Sequence, residues 1–266
     1  HLEQLRIRAL STEKLPPLNK PCSAPDDVSI AKYSGEKLDI AVDDAPFVAV
    51  ADTVTIAPRS GERYGQSFVL TTPDDRYDIS LPVLGDFQQE NAATAVRALE
   101  QLRPGLRPSR EEIESGLART VIPGRMEFFP SHPGVVFDIA HNPDKATHLA
   151  HALAHTFPDR RFTFVMAIGE SKDAAQVIQP FLALRGTFTF TTFSVAGRNA
   201  SRPQRLASIT GEMGGWGRAI TDPVEAFSIA RRNAEGDDII VVTGSTFVVA
   251  ELREWWMANV QSSSNV

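Results

Sequence analysis

A short apolar run at residues 135–137 passes directly into the polar segment Asp-Ile-Ala-His-Asn-Pro at residues 138–143. The apolar run predicts a strand buried on both faces, and the proline predicts the start of a helix. In an open α/β sheet, ligands bind in the crevice beyond the carboxyl ends of the strands. We therefore expect Asp138, His141 and Asn142 to line a binding crevice. The alternative is structural only, with Asn142 capping the helix and Asp138 bracing the turn.

Apolar strand-like runs and amphipathic helical segments alternate along the second half of the chain. The pattern predicts strands at 135–139, 162–168, 187–193 and 238–243, and helices at 143–156, 173–184, 202–212, 222–235 and 245–257. Such alternation is typical of an α/β fold with a mostly parallel, Rossmann-like sheet. The Pro-Gly pair at 123–124 marks a boundary, so we expect domains at 1–121 and 122–266.

The first domain has a different pattern. Residues 1–27 begin with a short helical repeat and continue as a proline-rich connector, and residues 28–85 are β-rich. The predicted strands are at 47–50, 54–56, 68–70 and 77–81. A helix is predicted at 88–102, with Ala92, Ala95, Val96 and Leu99 on its apolar face. A second helix is predicted to begin at a capping box of Ser109 and Glu112 and to end near Arg119.

Five segments in a fixed order carry a family resemblance. They are Gly-Asp-Phe-Gln-Gln-Glu-Asn-Ala-Ala-Thr-Ala at 85–95, Pro-Gly-Arg-Met-Glu at 123–127, the segment at 138–143, Gly-Glu-Ser-Lys-Asp at 169–173 and Thr-Gly-Ser at 243–245. Together they resemble folylpolyglutamate synthase/dihydrofolate synthase, of the Mur ligase superfamily. The resemblance extends from about Tyr77 to Trp256. It implies a central-domain remnant at 1–121 and a glutamate ligase domain at 122–266.

The resemblance also implies an activity. Such a ligase uses ATP with Mg²⁺ to activate the carboxylate of a folate or dihydropteroate as an acyl phosphate, which L-glutamate then attacks. This chemistry needs cations for the phosphates and groups that hold the nucleotide. The residues so implied are His141 and Lys172 as catalytic, Gln88, Asn91, Arg125 and Asp138 at the nucleotide, and Asn142 and Ser245 at the substrate.

Several of these residues have structural alternatives. A guanidinium can grip a phosphate with two parallel hydrogen bonds, but Arg125 could instead pair with Glu127 on the surface. Lys172 could belong to a solvated helix start, and Ser245 could cap the last helix. The sequence also departs from the family pattern, because Phe87 stands where the family has a histidine before the glutamine.

No Gly-Lys dipeptide occurs in the 266 residues, so the phosphate-binding loop of such ligases is missing. We interpret the chain, which begins at His1, as the C-terminal part of a ligase that is inactive alone. The alternatives are a natural relative without the loop, or a half that works with a partner chain carrying it. The competing functions are a peptidoglycan-precursor ligase of the same superfamily and a non-catalytic nucleotide-binding module, which Phe87 favours.

Net charge, the length of apolar runs and the cysteine count restrict the partners and the location that we expect for the chain. A net charge of −6 argues against nucleic acid, and no apolar run is long enough to span a membrane. The single Cys22 forbids an internal disulfide and favours a cytoplasmic location. His148, His151 and His155 share one helical face opposite the apolar residues, so we expect them to be exposed and assign no metal ligand to the chain.

Overall fold

The structure, a computed structural model, describes residues 50–59, 65–184 and 186–259. These residues belong to two compact units. The first unit contains 50–59, Ser67–Leu81 and Gln89–Arg119, and the second contains 65–66, Pro82–Gln88 and 120–259. The helical repeat and connector predicted at 1–27, and the tail, lie outside the described residues. The predicted domains at 1–121 and 122–266 stay a prediction.

The first six elements follow in chain order. They are α1 (Val50–Thr53), β1 (Thr55–Arg59), β2 (Gln66–Thr71), β3 (Arg76–Leu81), α2 (Phe87–Glu100) and α3 (Arg110–Ala118). The strands form one sheet in the order β1-β2-β3, and β1 runs antiparallel to β2. The prediction of a strand at 47–50 is wrong at Val50, which begins α1, while 47–49 lie outside the described residues.

The helix predictions in this region are confirmed, with one change to the buried face of α2. The capping box of α3 forms as expected, since the Ser109 hydroxyl accepts from the Glu112 amide and the Glu112 carboxylate accepts from the Ser109 amide. In α2, Ala95 is exposed rather than buried. Ala93 is buried instead, and the charged residues Arg97 and Glu100 lie on the same buried face.

Those charged residues form a buried network in the first unit. The carboxylate of Glu100 accepts hydrogen bonds from the Tyr77 hydroxyl at 2.9 Å and from the Thr72 hydroxyl at 2.6 Å, and it pairs with the guanidinium of Arg97. Arg97 also reaches Asp74 at 3.1 Å. Burial, followed by the hydrogen bond to Glu100, raises the pKa of Tyr77 to about 12. A buried carboxylate is tolerated here because its oxygens have partners.

The second unit carries the remaining elements. They are β4 (Glu127–Phe129), β5 (Gly134–Phe137), α4 (Pro143–Thr156), β6 (Phe162–Met166), α5 (Ala174–Leu182), β7 (Thr187–Phe190), α6 (Pro203–Glu212), β8 (Gly217–Ala219), α7 (Pro223–Asn233), β9 (Ile239–Thr243) and α8 (Thr246–Asn259). The strands form a six-stranded sheet in the order β4-β5-β9-β6-β7-β8, parallel except for β4. The predicted α/β fold with a mostly parallel sheet is confirmed.

Helices cover both faces of this sheet. Residues of α4, α5 and α6 share one apolar core with alternate residues of the strands, and residues of α7 and α8 share the other. Thus Val136 of β5 belongs to the first core, and its neighbours Val135 and Phe137 belong to the second. Burial on both faces explains why these strands are continuous apolar runs in the sequence.

Several strands end two or three residues before their predicted ends. Strands predicted to end at 139, 168 and 193 end at Phe137, Met166 and Phe190, because the chain leaves the sheet at its carboxyl edge to form loops. The edge strands β4 and β8 were missed. Each has only three residues, and β8 contains a glycine and an arginine, which are weak strand signals.

Candidate functional site

The last strand in the chain, β9, determines the arrangement at the carboxyl edge of the sheet. Strand β9 lies between β5 and β6, and the helices that follow β5 and β9 cover opposite faces. Where successive helices diverge in this way, an open α/β sheet leaves a gap beyond its strand ends. The segments 138–143 and 243–245 follow these two strands, so both line the crevice.

Hydrogen bonds join the two segments. The carbonyl oxygen of Ala140 accepts from the Gly244 amide at 2.9 Å and from the Thr243 hydroxyl at 3.3 Å. Gly244 has φ of +93°, and a Cβ there would lie 2.7 Å from the Ala167 carbonyl oxygen and 2.7 Å from Met166 Cγ. Both the left-handed backbone and the close packing against β6 require glycine at this position.

The Pro-Gly-Arg-Met-Glu turn at 123–127 packs on the same strand ends. Gly124 and Met126 have φ of +67° and +47°. The Gly124 carbonyl oxygen accepts from the Ile139 amide at 2.9 Å, and the Met126 amide donates to the carboxylate of Asp138 at 2.8 Å. A buried methionine in the left-handed region is unusual, and such strain is typical of functional sites.

The side chain of Asp138 holds the 123–127 turn and the start of the 138–143 segment together. It is buried, with the residue 5% exposed, and its two oxygens accept from the Met126 and Ala140 amides at 2.8 Å each. Burial raises the pKa of Asp138 above its usual range, although these two amides and the charges of Arg125 and His141 act in the opposite direction. The geometry favours a role in holding the loops over direct contact with a ribose, and the ribose role stays a prediction.

Arg125 projects from the turn without an ion-pair partner among the described residues. The alternative in which it pairs with Glu127 is wrong. Glu127 instead binds Arg253 of α8 through two hydrogen bonds, at 2.6 and 2.7 Å. Arg125 is half-buried, and its charge offsets part of the rise that burial causes in the pKa of Asp138. A cation held in this way is suited to binding an anion.

His141 and Asn142 begin α4. The Asn142 side chain accepts from the Lys145 amide at 2.9 Å, which is the expected cap, and the residue is buried. His141 is half-buried, and its Nδ1 lies 2.8 Å from the Ile139 carbonyl oxygen. A neutral ring must therefore carry its proton on Nδ1, which leaves Nε2 as an acceptor. The capping role of Asn142 is confirmed, and its substrate role stays a prediction.

Lys172 follows β6 at the carboxyl edge of the sheet. It is exposed, and its amide closes a turn by donating to the Gly169 carbonyl oxygen at 3.0 Å. Asp173 caps α5 by accepting from the Gln176 amide. The loop after β7 packs alongside, because the Ser201 amide donates to the Ile168 carbonyl oxygen at 2.8 Å. This loop was absent from the site prediction.

Ser245 takes the capping role. Its hydroxyl accepts from the Phe247 amide at 3.2 Å, and its carbonyl oxygen accepts from the Val249 amide at 3.2 Å. The residue is buried at the start of α8. This geometry leaves the remaining amides of the first turn as the groups suited to an anion, and the substrate role of the side chain stays a prediction.

The segment at 85–95 divides between the two units. Gln88 is 2% exposed, and its backbone N–H donates to the Gly85 carbonyl oxygen at 2.9 Å. Phe87 packs against the apolar core of the second unit, which explains how an aromatic side chain is accommodated where the family has histidine. Asn91 is exposed on α2 within the first unit. The nucleotide roles of Gln88 and Asn91 stay predictions.

The histidines of α4 lie on its solvent face. His148, His151 and His155 are exposed as predicted, and two of them approach carboxylates, at 3.6 Å for Asp144 and 3.3 Å for Asp86. Within the described ranges, no group of three or more His, Cys, Asp or Glu side chains is arranged to hold a metal ion. Nor is any helix in these ranges long and apolar enough to cross a membrane.

Comparison with known proteins agrees with the motifs. Residues 124–246 match the family described as Mur ligase, glutamate ligase domain. Residues 124–246 belong to this family of glutamate ligase domains. The matched residues begin at the glycine of the 123–127 turn and end just after Thr-Gly-Ser, so they enclose the crevice. The resemblance drawn from the motifs is confirmed.

Individual relatives point to folate ligases. The chain is 24% identical over 241 residues to the dihydrofolate synthase/folylpolyglutamate synthase of Bacillus subtilis. That alignment covers 90% of this chain and 54% of the Bacillus subtilis protein. The chain is 32% identical over 196 residues to the folylpolyglutamate synthase of Lacticaseibacillus casei, covering 72% and 44%. The chain therefore spans about half the length of these relatives.

A solved structure gives the same picture. The folylpolyglutamate synthase of Mycobacterium tuberculosis, complexed with ADP and AMPPCP, superposes with a TM-score of 0.67 and 26% sequence identity. The match covers 77% of this chain and 47% of the Mycobacterium tuberculosis chain. The fold of the glutamate ligase domain is thus shared with a nucleotide-binding enzyme.

Proposed function

We propose that this chain is the glutamate ligase part of an ATP-dependent ligase that joins L-glutamate to the carboxylate of a folate. The observation that carries the proposal is the hydrogen bonding at the carboxyl edge, where the segment at 138–143 is joined both to the 123–127 turn and to Thr-Gly-Ser at 243–245. The folate-ligase relatives supply the substrate class. In this proposal residues 1–121 belong to the ATP-binding domain and residues 122–266 form the glutamate ligase domain.

Arg125 serves the nucleotide in this proposal. Its guanidinium is free of ion pairs among the described residues and stands on a turn whose backbone is fixed by Asp138 and Ile139. A preorganised cation stabilises developing phosphate charge without reorganising during the reaction. Arg125 thus binds a phosphate oxygen of ATP, and Asp138 holds the turn in place.

The reaction has two steps. The folate carboxylate takes the γ-phosphoryl group of ATP, which gives an acyl phosphate and ADP. The amine of L-glutamate then attacks the acyl carbon, the bond to the phosphate oxygen breaks with its electron pair, and the amine loses a proton. Mg²⁺ accompanies ATP and neutralises phosphate charge in such transfers. The described residues hold no cluster that fits the metal, so its ligands are not assigned to them.

Incoming L-glutamate meets His141 and Lys172 in this proposal. Lys172 is exposed beyond β6 and supplies a positive charge for a carboxylate. His141 Nε2, left as an acceptor by the Nδ1 contact, is suited to take a proton from the attacking amine. Asn142 and the first turn of α8 beside Ser245 offer N–H groups to the remaining oxygens.

Calorimetric titration of the chain with ATP and Mg²⁺, with and without L-glutamate, tests the proposal. We expect weak binding whose dissociation constant Arg125→Ala raises about tenfold or more, while the unfolding transition stays in place. Unchanged binding in Arg125→Ala, both with and without L-glutamate, would remove Arg125 from the site. The exposed Arg205 provides a matched control, because Arg205→Ala removes the same charge from α6.

Addition of the half of a folate-ligase relative that carries the phosphate-binding loop, as a separate chain, tests the activity. Ligation of L-glutamate to a folate substrate supports the proposal. Ligation to a muropeptide instead supports a peptidoglycan-precursor ligase, and nucleotide binding without ligation to either supports a binding module.

A further inference from the structure

The turn that carries Arg125 has its backbone held at each residue. The Gly124 amide donates to the Glu127 carboxylate at 2.9 Å, and the Arg125 amide donates to the Ile122 carbonyl oxygen at 3.3 Å. The Met126 amide donates to Asp138. Two of the three central residues have positive φ, so the turn needs these contacts to offset its strain.

One of these contacts depends on a residue far along the chain. The Glu127 oxygen that accepts from the Gly124 amide also accepts from Arg253 Nε at 2.6 Å, and the second oxygen accepts from Arg253 Nη2 at 2.7 Å. The side chains of Arg253 and Glu127 are only 27% and 14% exposed. The carboxylate is thus fixed from one side by helix α8 and fixes the glycine of the turn from the other.

Helix α8 supports the turn at a second point. A Cβ on Gly124 would lie 3.3 Å from Val249 Cγ1 and 3.0 Å from Ile139 Cγ2, so the glycine backbone packs closely between α8 and the strand end. Val249 and Arg253 are one helical turn apart, and both therefore face the turn. The same helix begins at Thr-Gly-Ser, on the other side of the crevice.

We infer that Arg253 is a positioning residue for Arg125, acting through the Glu127 carboxylate on the Gly124 amide. The inference rests on the proposed function in that Arg125 binds the nucleotide. A bidentate pair fixes the orientation of a carboxylate as well as its charge. Without Arg253, Glu127 can rotate away from the Gly124 amide, and the strained turn relaxes with Arg125 on it.

An ordinary stabilising ion pair would give different results. It would lower the free energy of unfolding in any Arg253 variant but leave the mobility of Arg125 and the affinity for nucleotide unchanged once the protein is folded. Positioning instead couples the two arginines, and coupled residues give non-additive effects in a double-mutant cycle.

The test compares Arg253→Met, Arg253→Lys, Arg125→Ala and the Arg253→Met/Arg125→Ala pair, with the exposed neighbour Glu254→Gln as control. The first readout is ¹⁵N relaxation of the Arg125 Nε–H group without nucleotide, together with hydrogen exchange at the Gly124 amide. The second is the dissociation constant for ATP with Mg²⁺. Where Arg253→Met does not fold, Glu127→Gln, which keeps the shape of the side chain, replaces it.

We expect Arg253→Met to make the Arg125 side chain mobile, to speed exchange at Gly124 and to weaken ATP binding about tenfold. The same change should have no effect on affinity in the Arg125→Ala background. Arg253→Lys should give an intermediate loss, because lysine keeps the charge but cannot form the bidentate pair. Glu254→Gln should match the unmodified chain.

The outcomes separate this inference from the proposed function. Unchanged Arg125 mobility and Gly124 exchange in Arg253→Met overturn the inference, even where Arg125→Ala weakens ATP binding. Increased mobility with ATP binding unaffected by Arg125→Ala supports the positioning and overturns the nucleotide role of Arg125. Additive losses of affinity in the double variant overturn the inference, because Arg253 would then act independently of Arg125.

Discussion

The buried carboxylate of Asp138 and the amide of Met126, 12 residues earlier, are joined by a hydrogen bond of 2.8 Å. The second oxygen of Asp138 accepts from the Ala140 amide at the same distance. One side chain therefore holds two loops together: the strained turn before β4 and the start of the 138–143 segment. The acid of this segment is placed to organise the crevice.

Replacement of Asp138 by asparagine should lower the free energy of unfolding by about 1–3 kcal/mol, because an amide N–H₂ would face one of two backbone donors. Urea unfolding measures the change. Asp144→Asn is the control, since that carboxylate is exposed on α4 and the change should cost less than about 0.5 kcal/mol. Equal stability of the two variants would contradict the bracing role.

A methyl group at Gly244 should destabilise the second unit. The left-handed backbone and the 2.7 Å approach to the Ala167 carbonyl oxygen together predict a loss of about 2 kcal/mol or more for Gly244→Ala. Gly211→Ala is the matched control, because nothing lies within 4 Å of a Cβ in that position of α6. There, alanine should stabilise the helix by about 0.5–1 kcal/mol.

Tyr77 should titrate late. Its pKa is raised to about 12 by burial and by the hydrogen bond to Glu100, while an unfolded tyrosine has a pKa of about 10. The stability that the neutral phenol contributes is therefore complete below about pH 10 and is lost as the pH rises towards about 12. Absorbance at 295 nm measures the titration, and the difference from Tyr77→Phe isolates this residue. A midpoint near 10 in the folded protein would contradict the burial argument.

Replacement by alanine should have different effects at His148, on the exposed face of α4, and at His141, just before that helix. His148 is exposed, and its contact with Asp144 is long, so His148→Ala should leave nucleotide binding and stability unchanged. His141→Ala removes the ring that contacts the Ile139 carbonyl oxygen at the crevice, and ligation in the complete enzyme should fall. Equal effects of the two changes on ligation would remove His141 from the site.

Much of the second unit follows from periodicity. Helix α4 begins and ends at the predicted residues because Asn142 and Pro143 give strong start signals. Strands β5, β6 and β9 are predicted from apolar runs, since both faces of the sheet are covered. Their order is a tertiary property, and no local pattern shows that β9 lies between β5 and β6.

The site was predicted less completely. Motifs with fixed spacing identify the segments around Arg125, Asp138 and Ser245, and these segments do meet. The partner of Glu127 could not be identified, because Arg253 is 126 residues away and has no local signal in an amphipathic helix. For the same reason the sequence could not show that Asp138 bonds to Met126, since that contact depends on a backbone turned by positive φ.

The central place of β9 has a consequence for synthesis of the chain. Strands β5 and β6 emerge from the ribosome well before β9, and each flanks the position that β9 later fills. Until then both present unpaired, strongly apolar edges, which are templates for aggregation. The nascent protein thus has an interval of vulnerability that ends only when Ile239–Thr243 is inserted, and chaperone demand should be greatest during that interval.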